Sequence, residues 1–186
     1  MVNIINVLSA IGSVGTFVMA LFYFISVSVQ LYQMKMSFLP ALGFNQILMT
    51  RDGDHLTLRN TTDKDSDNMG DDFLKLYNMG AGAAKELQIK IYIDEDNVLQ
   101  QKYASILPSK EGYMLPINNE VFHELESTIQ HNGYESNLKI KIQFKHNASR
   151  KQQTLYLKGK IDHFNSYQDR EMYELQFIQT SENDNM

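Results

Sequence analysis

The chain has 186 residues, 43% of them hydrophobic and 21% charged, with a formal net charge of −5. That composition excludes an intrinsically disordered chain and gives length for one ordinary domain plus an appendage. The absence of cysteine excludes disulfides and thiolate chemistry, and the mildly acidic balance speaks against nonspecific nucleic-acid binding, which needs a basic face to displace counterions.

Charge is spread unevenly along the chain. The first lysine is Lys35, the first arginine Arg51 and the first acid Asp52. The stretch IINVLSAIGSVGTFVMALFYFISVSVQLY, residues 4–32, is free of formal charge and exceeds the roughly 20 apolar residues that a spanning helix needs. It reads as a membrane anchor over residues 1–38. A cleaved signal peptide would have a positive n-region, and residues 1–8 contain neither Lys nor Arg. Lys35 lies just past the apolar run with Arg51 farther on, so the positive-inside rule favours an outside N-terminus and a cytoplasmic C-terminal domain. Tyr32 and Phe38 suit an interfacial aromatic belt, which forms on either side. Gly12, Thr16 and Ala20 recur at every fourth position, a spacing that lets two helices approach closely and gives a candidate self-association face. The hydroxyl of Tyr23 lies well inside the run and requires a partner.

Residues 39–46 form a juxtamembrane connector, because Pro40 disfavours helix at Leu39. Beyond it the period changes to alternation, and residues 47–180 read as a β-sandwich domain. The segments ILMT and HLTLRN flank a turn at Arg51, Asp52, Gly53 and Asp54, where Asp-Gly accepts positive φ. DFLKLYN follows. KELQIKIYI then puts Leu87, Ile89, Ile91 and Ile93 on one face and Gln88, Lys90 and Tyr92 on the other, the clearest strand pattern in the chain. VLQQKYASIL, NLKIKIQF, QTLYLKGKI and EMYELQFIQ are further strands, and their spacing predicts an antiparallel sandwich. One segment breaks the alternation. INNEVFHELESTIQHNG has Asn118 or Asn119 as N-cap, Glu120 in the first turn, an apolar stripe of Val121, Phe122, Leu125 and Ile129, and Gly133 past the end. It predicts a short accessory helix. Residues 181–186 are expected to be a disordered tail.

The motifs that resemble chemistry are incomplete. Gly80 and Gly82 precede an alternating strand, with Lys85 where a dinucleotide fingerprint has its third glycine, and no G-K-[ST] ending follows. They read as a turn between strands. Asp63, Asp65 and Asp67 take the first, third and fifth positions of a calcium loop, but Asn68 and Leu74 replace its glycine and its bidentate glutamate. The acidic loop of residues 63–72 is expected to be solvated, with oxygen ligands enough for weak cation binding. His123-Glu124 begins like a zincin motif, yet Ser127 stands where the second histidine is needed. No G-x-S-x-G elbow is present. No catalytic, cofactor-binding or metal residue is assigned, and the expectation is a protein that is not an enzyme and takes no cofactor.

The layout resembles a loose group of small bacterial and phage single-pass membrane proteins, which have one N-terminal helix, a short juxtamembrane stretch and an immunoglobulin-like β-domain. That domain carries an N-x-G-x-G-x-A turn before a strand, matched here by Asn78, Gly80, Gly82 and Ala84. The resemblance implies a tether and an immunoglobulin-like sandwich and transfers no catalytic residue. The functional expectation is a noncatalytic membrane-anchored binding or regulatory module that holds a protein partner at the inner membrane face. Its partners would be the bilayer and a protein or further copies of itself, with no nucleic acid. Unpaired sheet edges and the helix within residues 119–131 are the expected contact surfaces. The alternative is an extracytoplasmic domain that recognises a ligand, toxin or cell-wall component.

Overall fold

The structure, a computed structural model, describes residues 2–53, 55–60, 73–94, 97–131, 135–147, 149–167 and 170–181. The chain divides into two compact units, Met1–Phe38 and Leu39–Met186. The first is a single helix, α1 (Val2–Ser37), of 36 residues. At 1.5 Å per residue it measures about 54 Å, well over the roughly 30 Å of a bilayer hydrocarbon core. It is long and apolar enough to cross a membrane. Three of its hydroxyls bond back within the helix: Ser13 donates to the Ser9 carbonyl, Thr16 to that of Gly12 and Ser28 to that of Phe24, at 2.8–2.9 Å. Such back-bonding is what a hydroxyl needs where no water is at hand.

Among its described residues the second unit is mainly β, with two antiparallel sheets and one short helix. Its elements are β1 (Leu42–Phe44), β2 (Ile47–Asp52), β3 (His55–Asn60), β4 (Phe73–Asn78), β5 (Ala84–Tyr92), β6 (Val98–Leu107), β7 (Gly112–Pro116), α2 (Asn119–Gln130), β8 (Glu135–His146), β9 (Ser149–Tyr167) and β10 (Arg170–Thr180). The smaller sheet has the order β1-β4-β7 and the larger β3-β2-β10-β9-β8-β5-β6. The larger sheet curls into a half-barrel. Between β2 and β3 the chain reverses at Gly53, whose φ of +60° is the left-handed conformation a tight hairpin turn demands.

Leu74 and Leu76 of β4 and Leu115 of β7 join one apolar core with Met49, Ile89, Ile140, Ile142, Leu157 and Leu175 of the larger sheet and Leu125 of α2. Burial of this kind is worth about 1.5–3 kcal/mol for each large aliphatic side chain. In β8 the alternation is strict: Leu138, Ile140, Ile142 and Phe144 are buried. His146 continues the same face, and its ring nitrogens have no hydrogen-bond partner among the described residues. β5 departs from strict alternation through a bulge at Glu86, whose φ is 51°. The extra residue turns both Ala84 and Leu87 into the core. Ile93 lies past the end of β5, in the turn that closes on Asn97, where its amide donates to the Asn97 carbonyl.

The stretch 39–46, expected as a connector, contains β1, which pairs with β4 from Leu42–Asn78 to Phe44–Leu76. β7 was also outside the expected strands; it follows a turn in which Lys110 has a φ of 60°. The acidic loop 63–72, Asp54, Gly133 and residues 182–186 of the expected tail lie outside the described residues.

Candidate interaction surfaces

Asn78 is fully buried and organises the corner where three turns of the β-domain meet. Its side-chain oxygen accepts from the amides of Ala41 (3.2 Å) and Gly80 (3.1 Å). Its side-chain nitrogen donates to the carbonyls of Gly82 (2.7 Å), Leu107 (3.2 Å) and Pro108 (3.0 Å). The backbone adds bonds from Met79 N to Ala41 O and from Lys110 N to Asn78 O, both at 2.8 Å. Gly80 sits against the leading segment, where an added Cβ would come within 2.3 Å of the Leu39 carbonyl oxygen. Ala84 opens β5, buried opposite Leu107 and His146. The Gly80–Gly82 bend thus leads into a strand, and the amides of Gly80 and Gly82 donate to the Asn78 side-chain oxygen and the Leu39 carbonyl. That arrangement ties turns together; a phosphate cradle would aim free amides outward from a helix start.

The two edges of the larger sheet differ. At β3, Asn60 reaches across to β4: its side-chain nitrogen donates to Phe73 O and its oxygen accepts from Lys75 N, both at 3.1 Å. A single amide there takes the place of a strand's main chain. At β6 the first residues are covered, because Asn118 donates from its side-chain nitrogen to Leu99 O (2.8 Å). Gln100 accepts from Asn118 N (2.8 Å) and donates to Pro116 O (2.5 Å). A shallow groove runs beside this corner, lined by Leu99, Lys102, Pro116 and Ile117 among others. Farther along β6, Tyr103 and Ile106 are 60% and 50% exposed. Lys102, opposite the buried Ile89 in the register, is itself exposed.

α2 begins where its N-cap predicts. Asn118 is extended (φ −93°, ψ 171°) and its side-chain oxygen accepts from Val121 N at 3.0 Å. Val121, Leu125 and Ile129 are buried and Phe122 is half-buried against the core, leaving Glu120, His123 and Gln130 exposed. His123 has no metal-binding company: among the described residues no group of three or more His, Cys, Asp or Glu is placed to hold a metal ion. Gly12, Thr16 and Ala20 are all on the exposed surface of α1. Thr16 spends its hydroxyl on Gly12 O, so what this stripe presents to another helix is small size.

One surface has no counterpart among the expected sites. The outer face of β5, β8 and β9 is rich in lysine, with Lys139, Lys141 and Lys145 alternating against the buried residues of β8. The segments KIKIQFK and LKGKI carry the alternation, but net charge alone hides it. Compared with protein-family models, curated proteins and solved structures, the chain matches none of them.

Proposed function

We propose that the protein is a membrane-anchored, noncatalytic binding or regulatory module whose β-domain holds a protein partner at the inner face of the membrane. The observation that carries the reading is the direct succession of two unlike parts: a helix long and apolar enough to span a bilayer, then, from Leu39, a β-domain. Lys35 in the last turn of α1 favours the cytoplasm for that domain. Along β6, beyond its covered first residues, Tyr103 and Ile106 flank main chain to which a partner strand can add. The exposed side of α2 lies beyond the same corner. Two antiparallel sheets around one core support an immunoglobulin-like sandwich, and the seven-to-three division of strands is the feature that assignment must accommodate.

Two measurements on the full-length protein test this. Protease treatment of a C-terminal tag should leave it intact until cells are permeabilised. Digestion in intact cells would instead transfer the β-domain to the outside and support recognition of an extracytoplasmic ligand, toxin or cell-wall component. A photocrosslinking residue at Tyr103 or His123 should capture a discrete protein that the same residue at Thr57, on the opposite edge strand, does not. Equal capture at all three positions, or none, would overturn the partner assignment.

A further inference from the structure

Strict alternation in β8 sends its lysines to the face opposite the core, and the register then sets lysine against lysine. Lys85 lies opposite Lys145 and Lys90 opposite Lys141 across β5 and β8, and Lys139 lies opposite Lys158 across β8 and β9. Directly opposed residues have Cβ atoms about 4.5–5.5 Å apart, and like charges at that spacing destabilise a sheet. Part of this charge is offset: Glu86 pairs with Lys145 at 2.6 Å and Asp162 with Lys160 at 3.0 Å, and Lys139 and Lys158 also have partners. The Lys141 ammonium also lies 5.1 Å from the centroid of the Tyr156 ring. The chain as a whole has a net charge of −5, yet this face brings three lysine pairs into opposition.

We propose that this outer face of β5, β8 and β9 binds an anionic lipid surface. Every basic group in the opposed pairs is lysine. A lysine ammonium is a compact point charge on a flexible stem, which needs no planar, bidentate partner and adapts to headgroups that move laterally. Ile178, opposite Lys158 on β10 and half exposed, adds an apolar contact beside the cations. The anchor supplies the remaining reason: a domain covalently joined to a spanning helix meets lipid at high effective concentration, so modest attraction per charge suffices. An anionic surface also relieves the repulsion that the opposed pairs build into the sheet.

The test uses full-length protein in zwitterionic nanodiscs, mixed with vesicles of phosphatidylcholine alone or with phosphatidylglycerol. Co-sedimentation is expected with the anionic vesicles only, weakening as salt is raised. The Lys90→Gln/Lys141→Gln variant should bind about 25-fold less tightly, about fivefold for each lysine. Its unfolding midpoint should hold or rise, because an opposed like-charge pair is gone. Lys90→Arg/Lys141→Arg and Lys110→Gln, the latter in the β6–β7 turn, should bind as the parent does. Equal binding to neutral vesicles, full binding by the double Gln variant, or an equal loss in Lys110→Gln would overturn the proposal. So would tighter binding to a single-stranded oligonucleotide than to the anionic vesicles.

Discussion

At the residue scale the fold leans on side-chain amides. Asn78 satisfies two amides and three carbonyls in a fully buried corner, and Asn60 bridges β3 to β4 in the same manner. Asn78→Ala would leave those buried groups without their partner, at about 1–3 kcal/mol for each that water cannot reach. We expect a loss of at least about 3 kcal/mol in urea unfolding, and a loss under about 1 kcal/mol would show that the corner repacks without the amide. The turn itself was legible, since Asn78, Gly80 and Gly82 stand between two alternating runs. What the turn holds was not. Its partners at Leu39–Ala41 and Leu107–Pro108 are remote in sequence, and no local pattern names them. His146 was hidden for a related reason: it is an inward position of β8 by parity, and a polar side chain there gives no hydrophobic signal.

Elements were read well where their period was long and their burial one-sided. α2 has a cap, a first-turn acid and an apolar stripe, and its boundaries and buried face follow from those residues. Leu125 lies at the centre of that face, fully buried, and Leu125→Ala should destabilise the β-domain by about 2–5 kcal/mol, the range for truncating a core leucine. Circular dichroism on melting should show helix and sheet lost together; an α2 that melts alone at lower temperature would mean that it is not part of the cooperative core. β1 and β7 give little sequence signal because they have three and five residues and lie at the edges of the smaller sheet, where one-sided burial barely repeats. β6 follows its expected segment, Val98–Leu107, without alternating in burial. It has exposed Tyr103 and Ile106 beside buried Gln100 and Ala104, since its covering comes from the α2 corner at one end only. The lysine face belongs here too: each strand showed its own alternation, but the pairing of lysine with lysine exists only once strands are in register.

For the whole molecule, mainly antiparallel β structure with a leading apolar helix was readable from composition and period. The apportioning of strands to two sheets was not, because it depends on pairings between distant segments. β2 meets β10 from Asp52–Arg170 to Ile47–Leu175, so the first hairpin of the larger sheet is held by the last of the described strands. A chain terminated after Tyr167 would lose β10 and leave β2 and β9 without their shared neighbour. It should fail to give a protease-resistant β-domain, and a resistant fragment of near-normal size would show that β2 and β9 can close on each other.

That same pairing orders events during synthesis. Ile47 leaves the ribosome 128 residues before Leu175, its partner in β10, a delay of roughly 6–25 s at about 5–20 residues per second. By then α1 has long since emerged. The β2–β3 hairpin therefore waits without this partner until β10 has been made. Nascent chains of this protein are in the greatest need of a chaperone during that interval, and a slower ribosome lengthens it.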